Sequence, residues 1–179
     1  MENKIQKMVH ASLFLALAYL LPFLTGQIPT IGAMLCPMHL PVLICGFLCG
    51  PLYGFAIGII VPIFRSLTLG APPLFPTAVC MTFELGTYGA VAGIMHKILP
   101  KRKSFTYVSL ISAMFVGRIV WGVASFIAYG CTGQTFTLAA FFTAAIVNAL
   151  PGILLQIIAV PILVNLIENS ARFKQGKII

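Results

Sequence analysis

Acidic side chains are almost missing from this chain: three Asp and Glu stand against eleven Lys and Arg in 179 residues. Charge of either sign is scarce, at 8% of residues, where a water-soluble domain carries roughly 25%. That shortage excludes an aqueous globule. A phosphate-cradling GxxxxGK[ST] loop is absent, so the chain does not hydrolyse ATP by that route. HExxH and GxSxG are absent too, which removes the metalloprotease helix and the activated serine of a hydrolase. Cys36, Cys45, Cys49, Cys80 and Cys131 form no CxxC pair. Cys45 and Cys49 stand one helical turn apart and read as small packing residues, whereas Cys36 and Cys131 fall in predicted outer loops and could pair. No spacing assembles a nucleophile with its base. The expectation is a protein that is not an enzyme, with no cofactor and no bound metal.

Apolar residues are what the chain has in plenty: 60% of the total, with a mean hydropathy of +1.05. Several stretches approach or exceed the ~20 residues that cross a hydrocarbon core as a helix. The fold class is therefore all-α, a polytopic membrane protein with one domain over residues 1–179. Spans are predicted at about 8–24, 38–49, 52–68, 77–96, 105–129 and 139–166. The run 39–69 is too long for one span, and Gly46, Gly50, Pro51 and Gly54 in its middle supply turn chemistry. Residues 1–24 mimic a signal peptide, but no small-residue cleavage site follows and Pro22 ends the run, so an uncleaved first span is expected. No internal repeat is evident.

The cations cluster at the edges of these spans: Lys4 and Lys7; Lys97, Lys101, Arg102 and Lys103; Arg172, Lys174 and Lys177. Cytoplasmic loops collect Lys and Arg. Six spans place both termini and the mid-chain basic loop together in the cytoplasm, whereas five would separate the termini. The same rule accounts for a net charge of +8 without nucleic acid.

Ionisable groups inside spans cost at least ~2.5–3.5 kcal/mol on insertion scales, so they pair or serve a pathway. Arg65, Glu84 and Arg118 are such groups. With His39 and Asn148 they are expected to converge from five helices at similar depth, open to the outside. Phe75, Tyr88 and Trp121 lie beside them, Tyr88 and Trp121 on the helix faces of Glu84 and Arg118, and Phe83 flanks the mouth with Phe75. Two arginines against one glutamate leave one positive charge, which a ligand carboxylate would neutralise. The competing reading is structural: Arg65 and Glu84 as a staple, His39 as a helix start, Asn148 and Gln156 as interhelical amides. Ala11, Ser12 and Ala16 give the first span a small-residue face for a second membrane subunit.

The stretch Met38 to Leu74, MHLPVLICGFLCGPLYGFAIGIIVPIFRSLTLGAPPL, is similar to the substrate-binding S components of energy-coupling factor (ECF) vitamin transporters. Ser12-xxx-Ala16 is the nearest match to that family's AxxxA helix-one motif. The resemblance implies a subunit in the bacterial cytoplasmic membrane that binds a small vitamin from outside. Its implied partners are membrane lipid, a transmembrane coupling subunit and two ATPase subunits. The pattern MHLPVL…PIFRSL…PPLFP…FELGTYG resembles pantothenate-type members most. Arg65 or Arg118 would then take the carboxylate, with Glu84, His39 and Asn148 for hydroxyls and amide. Niacin, biotin and hydroxymethylpyrimidine are the other candidate substrates. A self-sufficient carrier coupled to protons through Glu84 and His39, and an assembly protein with no small ligand, are the alternative functions.

Overall fold

The computed structural model describes residues 4–24, 34–100 and 102–176, the side chains of Leu24 and of 171–176 aside. Lys101, Lys177 and most of the first predicted outer loop lie outside the described residues, as do the side chains of Arg172 and Lys174. The elements run α1 (Lys4–Leu24), α2 (His39–Cys49), α3 (Pro51–Leu69), α4 (Val79–Ile98), α5 (Lys103–Cys131), α6 (Leu138–Phe142) and α7 (Leu150–Gly176). Wide π-type turns at Leu74–Ala78 and Thr143–Val147 lead into α4 and away from α6. The described residues contain no strand.

Five helical segments are long and apolar enough to cross a membrane: Lys4–Phe23, Pro51–Leu69, Leu74–Ile98, Lys103–Cys131 and Leu150–Ser170. Helix α2 has 11 residues, about 16 Å of rise, half a typical hydrocarbon core. The expected single span over 139–166 is interrupted instead. Asn148 N–H bonds back to Thr143 O at 2.9 Å, closing the wide turn, and α7 starts two residues later. Pro151 explains the break: it has no N–H to donate back to the preceding turn, and it sits in the first turn of α7, where proline is tolerated. At the expected turn between spans two and three, Gly50 takes φ 103° and Pro51 opens α3. That φ is open to glycine alone without strain, and proline suits a first helical position.

Helices α2, α3 and α4 meet backbone to backbone. A Cβ on Gly54 would stand 2.7 Å from Gly46 Cα and 2.8 Å from Gly89 O. One on Gly93 would stand 2.7 Å from Gly46 O. Small residues permit this approach where lipid offers no hydrophobic drive between helices. Val42, Leu43, Ile57, Val61, Leu85 and Ala92 are buried around the seam. The outward surface is apolar as well, with Leu52, Phe64, Phe115, Phe126 and Ile158 exposed, as a lipid-facing belt requires.

Helix α1 turns Ala11, Phe14 and Ala18 inward. Ser12 and Ala16 face outward, and the Ser12 hydroxyl donates to Met8 O at 2.9 Å. Of the three residues expected on the docking face, Ala11 instead faces the bundle, one 100° step around the helix from Ser12. Helix α7 reaches the bundle through Gly152, whose missing Cβ makes room for the Met34 and Leu35 carbonyls.

Candidate ligand-binding site

Glu84 and Tyr88 lie one turn apart on the buried face of α4, so both point into the bundle. Arg118 comes from α5 and His39 opens α2. Arg118 Nη1 lies 2.9 Å from Glu84 Oε1, and His39 Nε2 lies 3.6 Å from Glu84 Oε2. The first is an ion pair; the second is longer than a hydrogen bond. The Tyr88 ring packs edge-on against His39 at 5.5 Å between centroids. It occupies the space that a Cβ on Gly117 would fill. Glu84 is 2% exposed and the Arg118 side chain 16%.

Polar capacity is left over here. Both ring nitrogens of His39, the Tyr88 hydroxyl and Arg118 Nε are buried with no hydrogen-bond partner among the described residues. Glu84 Oε1, though close to Arg118, is not aligned for a hydrogen bond either. An unsatisfied buried group costs about 1–3 kcal/mol. Such a concentration marks a place where an outside donor or acceptor is rewarded.

Cys36, three residues before His39, adjoins this cluster at a positive φ of 47°. Its thiol is pushed up to about 11, first by burial and next by the Glu84 carboxylate, with Arg118 pulling it partly back. Sequence reasoning placed Cys36 in a loop and missed its nearness to Arg118. No disulfide joins it to Cys131.

Arg118 also faces outward from the cluster. Its guanidinium lies 6.0 Å from the Trp121 ring centre, and Trp121 stacks on Phe141 at 6.1 Å and meets Phe136 edge-on at 5.9 Å. Between α5 and the α6–α7 segment is a cavity of about 330 Å³ lined by Met114, Phe141, Ala145, Ile153 and Ile157 among others. Arg118 is the one charged residue among the described residues that line it. A larger cavity, about 480 Å³, lies between α4 and α5 behind Phe75 and Phe83 and has no polar lining. Phe75 and Phe83, 49% and 55% exposed, thus stand on the outer apolar surface, apart from the cluster.

Two expected members are elsewhere. Arg65 is buried, yet its Nη1 donates to Tyr19 O at 2.6 Å and its guanidinium lies 5.7 Å and 5.4 Å from the Tyr19 and Phe23 ring centres. It clamps α1 onto α3; no ion pair links it to Glu84 among the described residues. The carbonyl and the two ring faces engage the cation without an acid, though its buried Nε has no hydrogen-bond partner among the described residues. Asn148 is exposed at the break before α7. The buried amide of the last helix is Gln156, 2% exposed, whose Oε1 has no partner among the described residues.

At the other end of α4, His96 Nε2 meets Glu168 Oε1 of α7 at 2.9 Å, with the Phe47 ring edge-on to His96 at 5.2 Å. No sequence signal links residues 72 apart. A period-3.6 search on α4 would have set His96 on the face of Tyr88.

A family model described as "ECF transporter, substrate-specific component" matches residues 6–164. Neither the curated proteins nor the solved structures give a match.

Proposed function

Because the chain belongs to the substrate-specific component family of ECF transporters, a family of membrane subunits that bind a transporter's substrate, we propose that it captures a small water-soluble vitamin or precursor bearing a carboxylate. Pantothenate is the favoured candidate. Arg118 receives the carboxylate and the apolar cavity beside it takes the aliphatic frame, next to the buried polar atoms of His39 and Tyr88. One observation carries this reading: among the described residues Arg118 is the one charged residue lining an otherwise apolar cavity, with unpartnered buried polar atoms next to it. Ligand pockets have that composition, and Arg suits a carboxylate by its planar fork.

Transport is driven by ATP hydrolysed on partner subunits, reached through a coupling subunit that docks on the outward Ser12–Ala16 face of α1. The chain crosses the membrane six times, α2 making the short second crossing, with both termini cytoplasmic. The His96–Glu168 pair supports that arrangement, since it sets the end of α4 at Lys97 beside the end of α7 that leads into the basic tail.

Purified protein unfolded with and without each member of a vitamin panel tests the reading. A ligand at a hundred times its Kd adds about 2.7 kcal/mol of stability; no shift with any carboxylate-bearing compound rejects it. The near-contact of His39 with Glu84 favours, as a second reading, a carrier coupled to protons. Uptake driven by an ion gradient in vesicles that contain this chain alone would establish that instead.

A further inference from the structure

Arg118 serves two sides at once. Glu84 holds it from within the bundle at 2.9 Å, while its other side walls the apolar cavity. Of the acids among the described residues, Glu168 is engaged with His96 at the far end of α4. Among the described residues Glu84 is thus the only carboxylate at hand to neutralise Arg118, and it is buried. We propose that Glu84 is a built-in competitor, an internal stand-in for the ligand's carboxylate that occupies Arg118 until a ligand replaces it. This rests on the carboxylate reading above.

The surrounding atoms fit such an exchange. When Arg118 turns toward a carboxylate in the cavity, Glu84 needs new donors. His39 Nε2, 3.6 Å from Oε2, and the Tyr88 hydroxyl are both buried and have no hydrogen-bond partner among the described residues. His39 in its Nε2–H tautomer reaches hydrogen-bond length to Glu84 after a shift of under an ångström, and the Tyr88 hydroxyl belongs to the residue one turn along the same helix face. His39 and Tyr88 are then positioning residues, which hold Glu84 once it leaves Arg118. A buried cation without a counter-ion is expensive, so the competitor lets the pocket fold charged. It also weakens the ligand, because two carboxylates share one guanidinium.

The alternative role for Glu84, direct contact with ligand hydroxyls, has the opposite sign and is therefore separable. Affinity for pantothenate and for its uncharged alcohol analogue is measured by calorimetry on the full-length wild type and on Glu84→Gln. The expected result is pantothenate bound roughly tenfold or more tightly by E84Q, with the alcohol unchanged within about twofold, as removal of a competing like charge requires. Weaker binding of both compounds by E84Q overturns the proposal and leaves the carboxylate reading intact. Wild type that binds the alcohol but no carboxylate overturns the carboxylate reading first. Should E84Q not fold, Tyr88→Phe decides. It removes one fallback donor for Glu84, so pantothenate alone weakens several-fold. Equal weakening of both compounds shows that the hydroxyl touches the ligand directly and overturns the proposal.

Discussion

Helix α4 carries an acid–base contact at each end, and the two are built differently. Toward its first turns Glu84 is almost fully buried, faces an arginine and a histidine, and is ringed by polar atoms with no hydrogen-bond partner among the described residues. Toward its last turn His96 meets Glu168 at 2.9 Å with both side chains partly exposed and neither contact atom unsatisfied. The His96 pair is matched one to one, as a tie between two helices should be. The Glu84 group has more donors than its single acid can use. Surplus polar capacity in a buried place separates a site from a strut, and residue type alone does not: both ends use a histidine and a glutamate.

That contrast can be attacked experimentally, beginning with the seam that holds both ends in register. Gly54→Val puts side-chain atoms where Gly46 Cα and Gly89 O already stand, at 2.7 and 2.8 Å from the first added carbon. Overpacking three backbones costs ~3 kcal/mol or more, and the variant should fail to give a monodisperse peak on size-exclusion chromatography. Next in size is Arg118→Ala. Ligand affinity falls at least tenfold and stability falls by about 3–5 kcal/mol, because Glu84 stays buried without its cation; calorimetry and denaturant unfolding read the two losses separately. Unchanged affinity would reduce the Glu84 group to a strut like the His96 pair.

Arg65→Met removes the bond to Tyr19 O and both ring contacts. It should lower stability by ~1–3 kcal/mol, the scale of a charged hydrogen bond, while ligand affinity stays within about twofold. A large loss of affinity would return Arg65 to the site. Glu168→Gln is milder still: ~0.5–1 kcal/mol in the same unfolding assay, as for a partly solvated pair, with no effect on binding. The smallest effect is chemical. Cys36, whose thiol is held up to about 11, stays protonated at neutral pH and alkylates slowly. Its rate should climb tenfold per pH unit below that value, while exposed Cys131 labels first; mass spectrometry of the peptides follows both.

The sequence made the helices legible because lipid demands long apolar runs, and the turn at Gly50–Pro51 legible because few residues tolerate that backbone. It also singled out Glu84, Arg118, His39 and Tyr88, since buried charge is costly enough to be conspicuous. Rotation about each helix axis was harder to read. In a soluble bundle the polar face tells which side points out, but here both sides are apolar, so Arg65 and Asn148 could be ranked by depth and not by direction. Arg65 went to α1, and the break at Pro151 put Asn148 on the surface. Tyr19 and Gly117 escaped notice, and Cys36 was read only as a loop cysteine that could pair with Cys131, because their roles lie in a carbonyl, an absent Cβ and a neighbour across the fold. Such features have no signature in side-chain type.

The glycine seam of α2, α3 and α4 has one more effect. Side chains that interlock act as teeth, and sliding them past each other requires changes of rotamer. Bare backbone has no teeth. The seam residues Gly89 and Gly93 lie between Glu84 and His96 along α4, a stretch of about 18 Å of unbroken helix. That places a smooth bearing near the middle of a stiff rod, and a small tilt there moves the two ends in opposite directions.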